Sequence, residues 1–440
     1  MKMDTNEQNR QKKRELRRKR RQRNQIISYT AVGILILVLA AGIAFAVSKI
    51  TGMSRSQEEQ QNKVDEILSD EETIQAPTET PETVEELTAE QKLDTIINEA
   101  IIQNMPLEDK VAGLFITTPE SITGVSAAVQ AGDGTKDALS KYPVGGIVYA
   151  SRNIKSADQL KQMIDNTKLY TSYPLFIAIE GEGGGTDAVA AAGLGTKAAT
   201  PQNIGASGDT NNAYIAGTTV GTYLAELGFN LDFAPSADLG IVDGNAAGSS
   251  SYGAEADTVA SFAAYMQAGL QEQKVTACIG QFPGIGSSTQ STKDGMASTD
   301  RSAEDFRANE FVAFQNCIDN GMTKMIRVSD MSAPSLTGDN TPCTLSSAVV
   351  TDILRNELNF RGVIVSGAMD QAAITNYYGA DEAAVMALRA GCDMIYSPEN
   401  FETAYNGVLE AVRNGTISEE RINDSLRRIY RIKYADKLEQ

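Results

Sequence analysis

The sequence predicts an α/β protein built as a (β/α)8 barrel of the TIM type, and three observations carry that expectation. Short apolar runs of strand length recur seven times, separated by stretches with helical periodicity. The runs are almost continuously apolar, as in parallel strands covered on both faces. No glycine-rich phosphate loop opens any unit, which argues against a doubly wound sheet.

In chain order the predicted strands are 145–150 (GGIVYA), 175–180 (LFIAIE), 229–235 (FNLDFAP), 275–280 (VTACIG), 325–330 (MIRVSD), 362–367 (GVIVSG) and 392–398 (CDMIYSP). The helices between them are 156–170, 213–228, 257–273, 302–321 and 346–359, and 417–434 closes the domain. Ser156 and Ser302 stand where an N-cap oxygen is needed, Gly228 and Gly321 where a C-terminal glycine is.

The barrel is expected to occupy 93–440, with three segments before it. Residues 1–25 carry eleven Lys/Arg against three acids, a net of +8, so the rest of the chain sums to −26 of the total −18. Residues 26–47 (IISYTAVGILILVLAAGIAFAV) are 22 in a row without a charge, enough to cross a bilayer core of about 30 Å. The basic cluster on one flank places the N-terminus in the cytoplasm and the bulk outside. A signal-anchored, single-pass membrane protein is therefore expected. Cleavage near Ala44-Phe45-Ala46 is the open alternative. Residues 48–92, rich in Glu, Thr, Gln and Pro, read as a stalk too polar to bury itself.

Charge and composition exclude several functions. An acidic domain lacks the basic footprint that nucleic acid requires. The chain has no histidine, and its four cysteines, Cys278, Cys317, Cys343 and Cys392, have no metal spacing, so neither a metal nor another cofactor is expected. Two disulfides and four buried thiols are equally compatible with those positions.

In a barrel of this kind function sits at the carboxyl ends of the strands. Those ends carry Ser151-Arg152-Asn153, Glu180 and Glu182, Asp232 and Asp238, the loop QFPGIGSSTQSTKD (281–294), Ser329-Asp330, Ser366-Gly367 and Asp370. Such an inventory suits sugar binding. Asp232 and Asp238 have a second reading as acceptors for backbone donors at a strand–loop corner. Arg152 has one as an internal partner of Glu180 or Glu182, and Asp370 as an acid at a helix start.

Seven of these segments, in order, resemble family 3 glycoside hydrolases, in particular the bacterial β-N-acetylglucosaminidase branch. They are MPLEDKVAGLFI (105–116), VGGIVYASRNI (144–154), PLFIAIEGEGG (174–184), LGFNLDFAPSADL (227–239), FPGIG (282–286), TLSSAVVTDILRNELNFRGVIVSGAMD (344–370) and the Arg-Ile-rich end. The resemblance implies a retaining glycosidase, which needs a carboxylate nucleophile about 5 Å from an acid/base. It places the nucleophile at Gly367 and the acid/base dyad at Ser291 and Lys293. The family's Lys-His pair reads Gly280-Gln281, its next His reads Ile285, its substrate-gripping Arg reads Gly185, and its sugar-holding Asp reads Glu180.

No catalytic position is intact, so the expectation is a pseudoenzyme. Such a protein would bind a glycan such as a peptidoglycan fragment, or dock an envelope protein, through Arg152, Glu180, Glu182, Asp232, Asp238 and Asp370. The alternatives are a residual β-N-acetylhexosaminidase acting through Glu180, Glu182 or Asp370, and a purely structural partner in a membrane complex.

Overall fold

The computed structural model of the protein describes residues 88–181 and 187–435. Eight parallel strands close into a barrel in sequence order: β1 (Phe115–Thr117), β2 (Gly146–Val148), β3 (Phe176–Ile179), β4 (Leu231–Asp232), β5 (Thr276–Phe282), β6 (Met325–Val328), β7 (Val363–Ala368) and β8 (Met394–Tyr396). Closure comes from β8 pairing with β1, Ile395 opposite Phe115 and Tyr396 opposite Ile116. Each strand supplies a sealed aliphatic residue, among them Ile116, Ile177, Leu231, Ile279, Ile326 and Ile364, all fully buried. Burial on both faces explains why the strands read as unbroken apolar runs.

Helices cover the outside. They are α1 (Asp133–Lys141), α2 (Ala157–Leu169), α3 (Asn211–Leu227), α4 (Ala256–Glu272), α5 (Glu310–Asp319), α6 (Ala348–Glu357), α7 (Ala380–Ala390), α8 (Phe401–Arg413) and α9 (Glu419–Lys433). Ser156 caps α2 by accepting from the Gln159 N–H, and Gln159 reciprocates. A cap of this kind contributes about 1 kcal/mol. Gly228 ends α3 at φ +96°, a left-handed conformation that costs a glycine little.

The structure adds one strand and refines two of the expected helices. β1 does not figure among the predicted strands, because its three residues follow a short helix (Leu107–Ala112) with too little sequence to show a period. The helix predicted over 302–321 is two helices: Ser302 caps Ala303–Ala308, and the chain breaks at Asn309 (φ −131°, ψ −79°) before α5. The segment predicted as 346–359 is wound as a π-helix, α6. The four cysteines are all buried free thiols, which removes the disulfide alternative.

Among the described residues no helix is long and apolar enough to cross a membrane. The basic segment, the apolar span 26–47 and nearly all of the 48–92 stalk lie outside them.

Candidate functional site

The carboxyl ends of the strands open into two adjoining cavities of about 470 and 480 Å³. Glu180, Lys293, Ala368 and Gln371 form the wall they share. That wall exists because the long loop after β5 crosses to the segment after β7. The Thr292 hydroxyl is hydrogen-bonded to the Gln371 amide oxygen, and the Ala373 N–H donates to the Thr292 carbonyl at 3.0 Å.

The loop itself is held from below by Asp238. Its carboxylate accepts from the backbone N–H of Gln281 (3.1 Å) and Ile285 (3.0 Å) and from the Ser236 hydroxyl (2.8 Å). Burial raises the Asp238 pKa, and these donors offset only part of the rise. A Cβ on Gly286 would fall 1.7 Å from the Leu239 carbonyl oxygen, so this glycine is required by packing alone. Asp232 likewise serves the backbone: it is fully buried, accepts from the Gly181 N–H at 2.8 Å and lines neither cavity.

The charged centre comes from β6, the strand between β5 and β7. Arg327 is 9% exposed, and its guanidinium lies 5.3 Å from the Phe233 ring centroid and 5.9 Å from that of Tyr396. Its Nη1 donates to Glu180 Oε1 at 2.6 Å. The Tyr396 hydroxyl donates to the same oxygen at 3.3 Å. Desolvation in the mouth pushes the Glu180 carboxyl up, but Arg327, Lys293 and Tyr396 together bring it below its usual range. The Glu180 side chain is still 53% accessible to water, so solvent screens the pair and the ion pair is a weak source of stability.

Both strands beside β6 present glycine against a charged residue of β6 or of the turn that follows it. An ideal Cβ on Gly280 of β5 would lie 3.6 Å from Arg327 Nε. One on Gly367 of β7 would lie 1.8 Å from Asp330 Oδ1 and 2.2 Å from its Cγ. The Asp330 carboxyl therefore fills the volume that a side chain at 367 would take. Asp330 is 3% exposed, and its Oδ1 has no hydrogen-bond partner among the described residues. Burial holds its pKa well above the ordinary value; Arg327 opposes the rise and Asp370 adds to it.

The second cavity holds Arg152, Asp370, Tyr396 and Ser397. Asp370 accepts from the Ser397 hydroxyl at 2.9 Å, and burial raises its pKa. It does not cap the helix that follows, where Gln371 takes the N-cap position. Arg152 pairs with Glu120 at 3.3 Å, not with Glu180 as sequence allowed, because it sits on a one-turn helix facing the segment after β1. Ser291 and Lys293 are exposed at the rim, with Lys293 lining both cavities. Glu182 and Gly185 lie outside the described residues.

Of the positions singled out in the sequence, the structure brings Glu180, Asp238 and Lys293 to the lining of one cavity, with Gly367 buried on β7 beneath Asp330. Sequence reasoning missed Arg327 and placed Asp330 only within the general strand-end inventory, not against Gly367. The signal was present in MIRVSD (325–330), where two charges stand in a run that must be buried.

A sequence profile of the "Glycosyl hydrolase family 3 N terminal domain" matches residues 107–432, the whole barrel. A beta-hexosaminidase of Nitrosomonas eutropha is 30% identical over 263 residues, covering 58% of this chain and 74% of that protein. A beta-N-acetylglucosaminidase/beta-glucosidase of Cellulomonas fimi is 25% identical over 300 residues; the match covers 66% of this chain and only 52% of that longer protein. Among solved structures, a family 3 beta-N-acetylglucosaminidase from a Paenibacillus species superposes with a TM-score of 0.69 at 29% identity, over 76% of this chain and 64% of that one. A beta-N-acetylhexosaminidase from Beutenbergia cavernae gives 0.66 at 26% identity, over 74% and 98%.

Proposed function

The chain belongs to glycosyl hydrolase family 3, and on that premise we propose that its barrel binds a glycan, such as a peptidoglycan fragment, at the outer face of the cell membrane without hydrolysing it. One observation carries the reading. The position that the family resemblance assigns to the nucleophile is Gly367, and the space above it is occupied by Asp330 Oδ1, 1.8 Å from where a Cβ would stand.

Asp330 is a poor substitute for that nucleophile. At 3% exposure a sugar carbon cannot reach it, and a raised pKa favours the neutral acid, whereas a retaining mechanism needs an ionised carboxylate. On the other side of the reaction, Ser291 has no proton-transfer chemistry near neutral pH. Two cavities lined by hydroxyls, amides and a few charges remain, which is the chemistry of saccharide recognition. The anchoring half of the proposal rests on the uncharged 22-residue span and its basic flank. Protease treatment of intact cells should remove the barrel and spare an N-terminal tag.

The direct test is turnover of a chromogenic N-acetyl-β-glucosaminide by the full chain, with Gly367→Asp and Gly367→Asp/Asp330→Gly beside it. No release above a denatured control is expected from the wild type or the single variant. Steady release by the wild type would sink the proposal.

A second reading, residual hydrolysis, has one observation in its favour. Glu180 and Asp370 line the same cavity and their environments push them in opposite directions, Glu180 down and Asp370 up, the pattern expected of an ionised base and a protonated acid. If the wild type turns over, Glu180→Gln and Asp370→Asn should each abolish it.

A further inference from the structure

We infer that the cavity floored by Arg327 recognises the carboxylate of an acidic saccharide; the inference rests on the glycan-binding reading and names the class of sugar it selects. The argument begins with Arg327. A guanidinium carries five N–H donors in one plane. Among the described residues only Nη1 finds an acceptor, Glu180 Oε1 at 2.6 Å. Nε is sealed from solvent without an acceptor. Nη2 likewise has no acceptor among the described residues, and Arg327 lines the cavity.

The residue is held for this task. Phe233 and Tyr396 pack against the guanidinium, and their own rings lie 4.5 Å apart. Gly280 keeps the β5 side clear, since any longer side chain there would contend for the space beside Nε. A cation so buried and so incompletely paired is costly unless something accepts its remaining hydrogens.

The charges around the cavity decide the sign of that partner. Lys293 stands on the rim as a second cation. Of the two carboxyls, Glu180 already pairs with Arg327, and Asp238 spends its oxygens on the N–H groups of Gln281 and Ile285 and on Ser236. The neutral side chains Gln281, Gln290 and Thr292 complete a lining suited to ring hydroxyls. An anion bound here meets two cations and two carboxyls that are already engaged, and its charge-assisted hydrogen bond to the guanidinium is of the strong kind.

Calorimetric titration of the full chain in detergent tests this with two matched pairs, N-acetylmuramic acid against N-acetylglucosamine and glucuronic acid against glucose. At least one acid should bind about tenfold or more tightly than its neutral partner. Arg327→Met should erase that preference. Glu180→Gln, which keeps the fold's packing and frees the guanidinium, should strengthen binding of the acid severalfold. Equal affinity within both pairs overturns the inference and leaves glycan binding standing. A preference that survives Arg327→Met, or an acid affinity that does not rise in Glu180→Gln, also overturns it. Failure of every sugar to bind overturns the glycan-binding reading, and this inference with it.

Discussion

Two clusters of buried charge sit at opposite ends of the same barrel. At the foot, Asp393 precedes β8 and is fully buried. Its Oδ2 accepts from Arg355 Nη2 (2.7 Å) and the Ile364 N–H (2.9 Å); its Oδ1 accepts from Ser425 (2.8 Å) and Arg428 (3.0 Å). Arg355 uses its other edge on the Phe360 and Gly362 carbonyls, and Arg421 donates to the Cys392 carbonyl. At the mouth, Arg327 leaves Nε without an acceptor and Asp330 leaves Oδ1 without a donor. Among the described residues no buried side-chain atom of the foot cluster lacks a hydrogen-bond partner, whereas the mouth has two that do. A network whose every atom is paired fixes structure, whereas one left half-paired is tolerated where something else must bind or where a function has been rearranged.

The contrast breaks most sharply on Asp393. Replacing it by alanine leaves Arg355, Arg421 and Arg428 facing one another with no anion, and should cost about 3–5 kcal/mol of unfolding free energy. Arg327→Met, at the other end, should cost about 1 kcal/mol or less, because its partner Glu180 already stands half in water. Denaturant titration of both variants measures the two costs on one scale. Equal losses would erase the distinction between the clusters.

The next largest effect tests how the mouth was refilled. Gly367→Asp drives a Cβ onto Asp330 Oδ1 and adds a second carboxyl to a sealed space. Overpacking of this kind costs about 1–3 kcal/mol. Asp330→Gly in the same chain should restore most of it, so the double variant should be more stable than the sum of the singles predicts. Additive losses would mean that Asp330 does not occupy the nucleophile's space.

How much of this was legible beforehand follows from the same residues. The barrel was readable because seven of its strands are long apolar runs punctuated by caps such as Ser156 and Gly228. β1 was not, since Phe115–Thr117 is too short to carry a period. Nor was the break at Asn309, an ordinary polar residue on a helix surface. At the mouth, the losses at Gly280 and Gly367 could be seen by position alone. The gains could not: that Arg327 leans toward one glycine and Asp330 toward the other depends on strand neighbours in space. The retained glycine at 286 misleads in the opposite sense, because contact with the Leu239 carbonyl preserves it whatever happens to the chemistry.

The pH dependence is the finest comparison, because the two ends should pull in opposite directions. Asp393 is pushed up by burial, but Arg355, Arg428 and Arg421 prevail and its folded pKa lies below the ordinary value. Its stabilisation is thus present above about pH 4 and is lost as pH falls toward the folded pKa. Asp330 is held well above its ordinary value, so the folded state keeps a proton that the unfolded state releases at about pH 4. Its contribution is fullest at acid pH and declines as pH rises toward the folded pKa, by at most about 1.4 kcal/mol for each unit of that window. Asp330→Asn has no such proton to lose. Between about pH 4 and pH 7 its stability should therefore rise relative to the wild type, while both chains fail together below the range where Asp393 is ionised. Parallel stability curves for the two chains between pH 4 and 7 would show that Asp330 is ionised in the folded protein. It would then stand as a paired anion like Asp393, and the difference between mouth and foot would reduce to one of exposure.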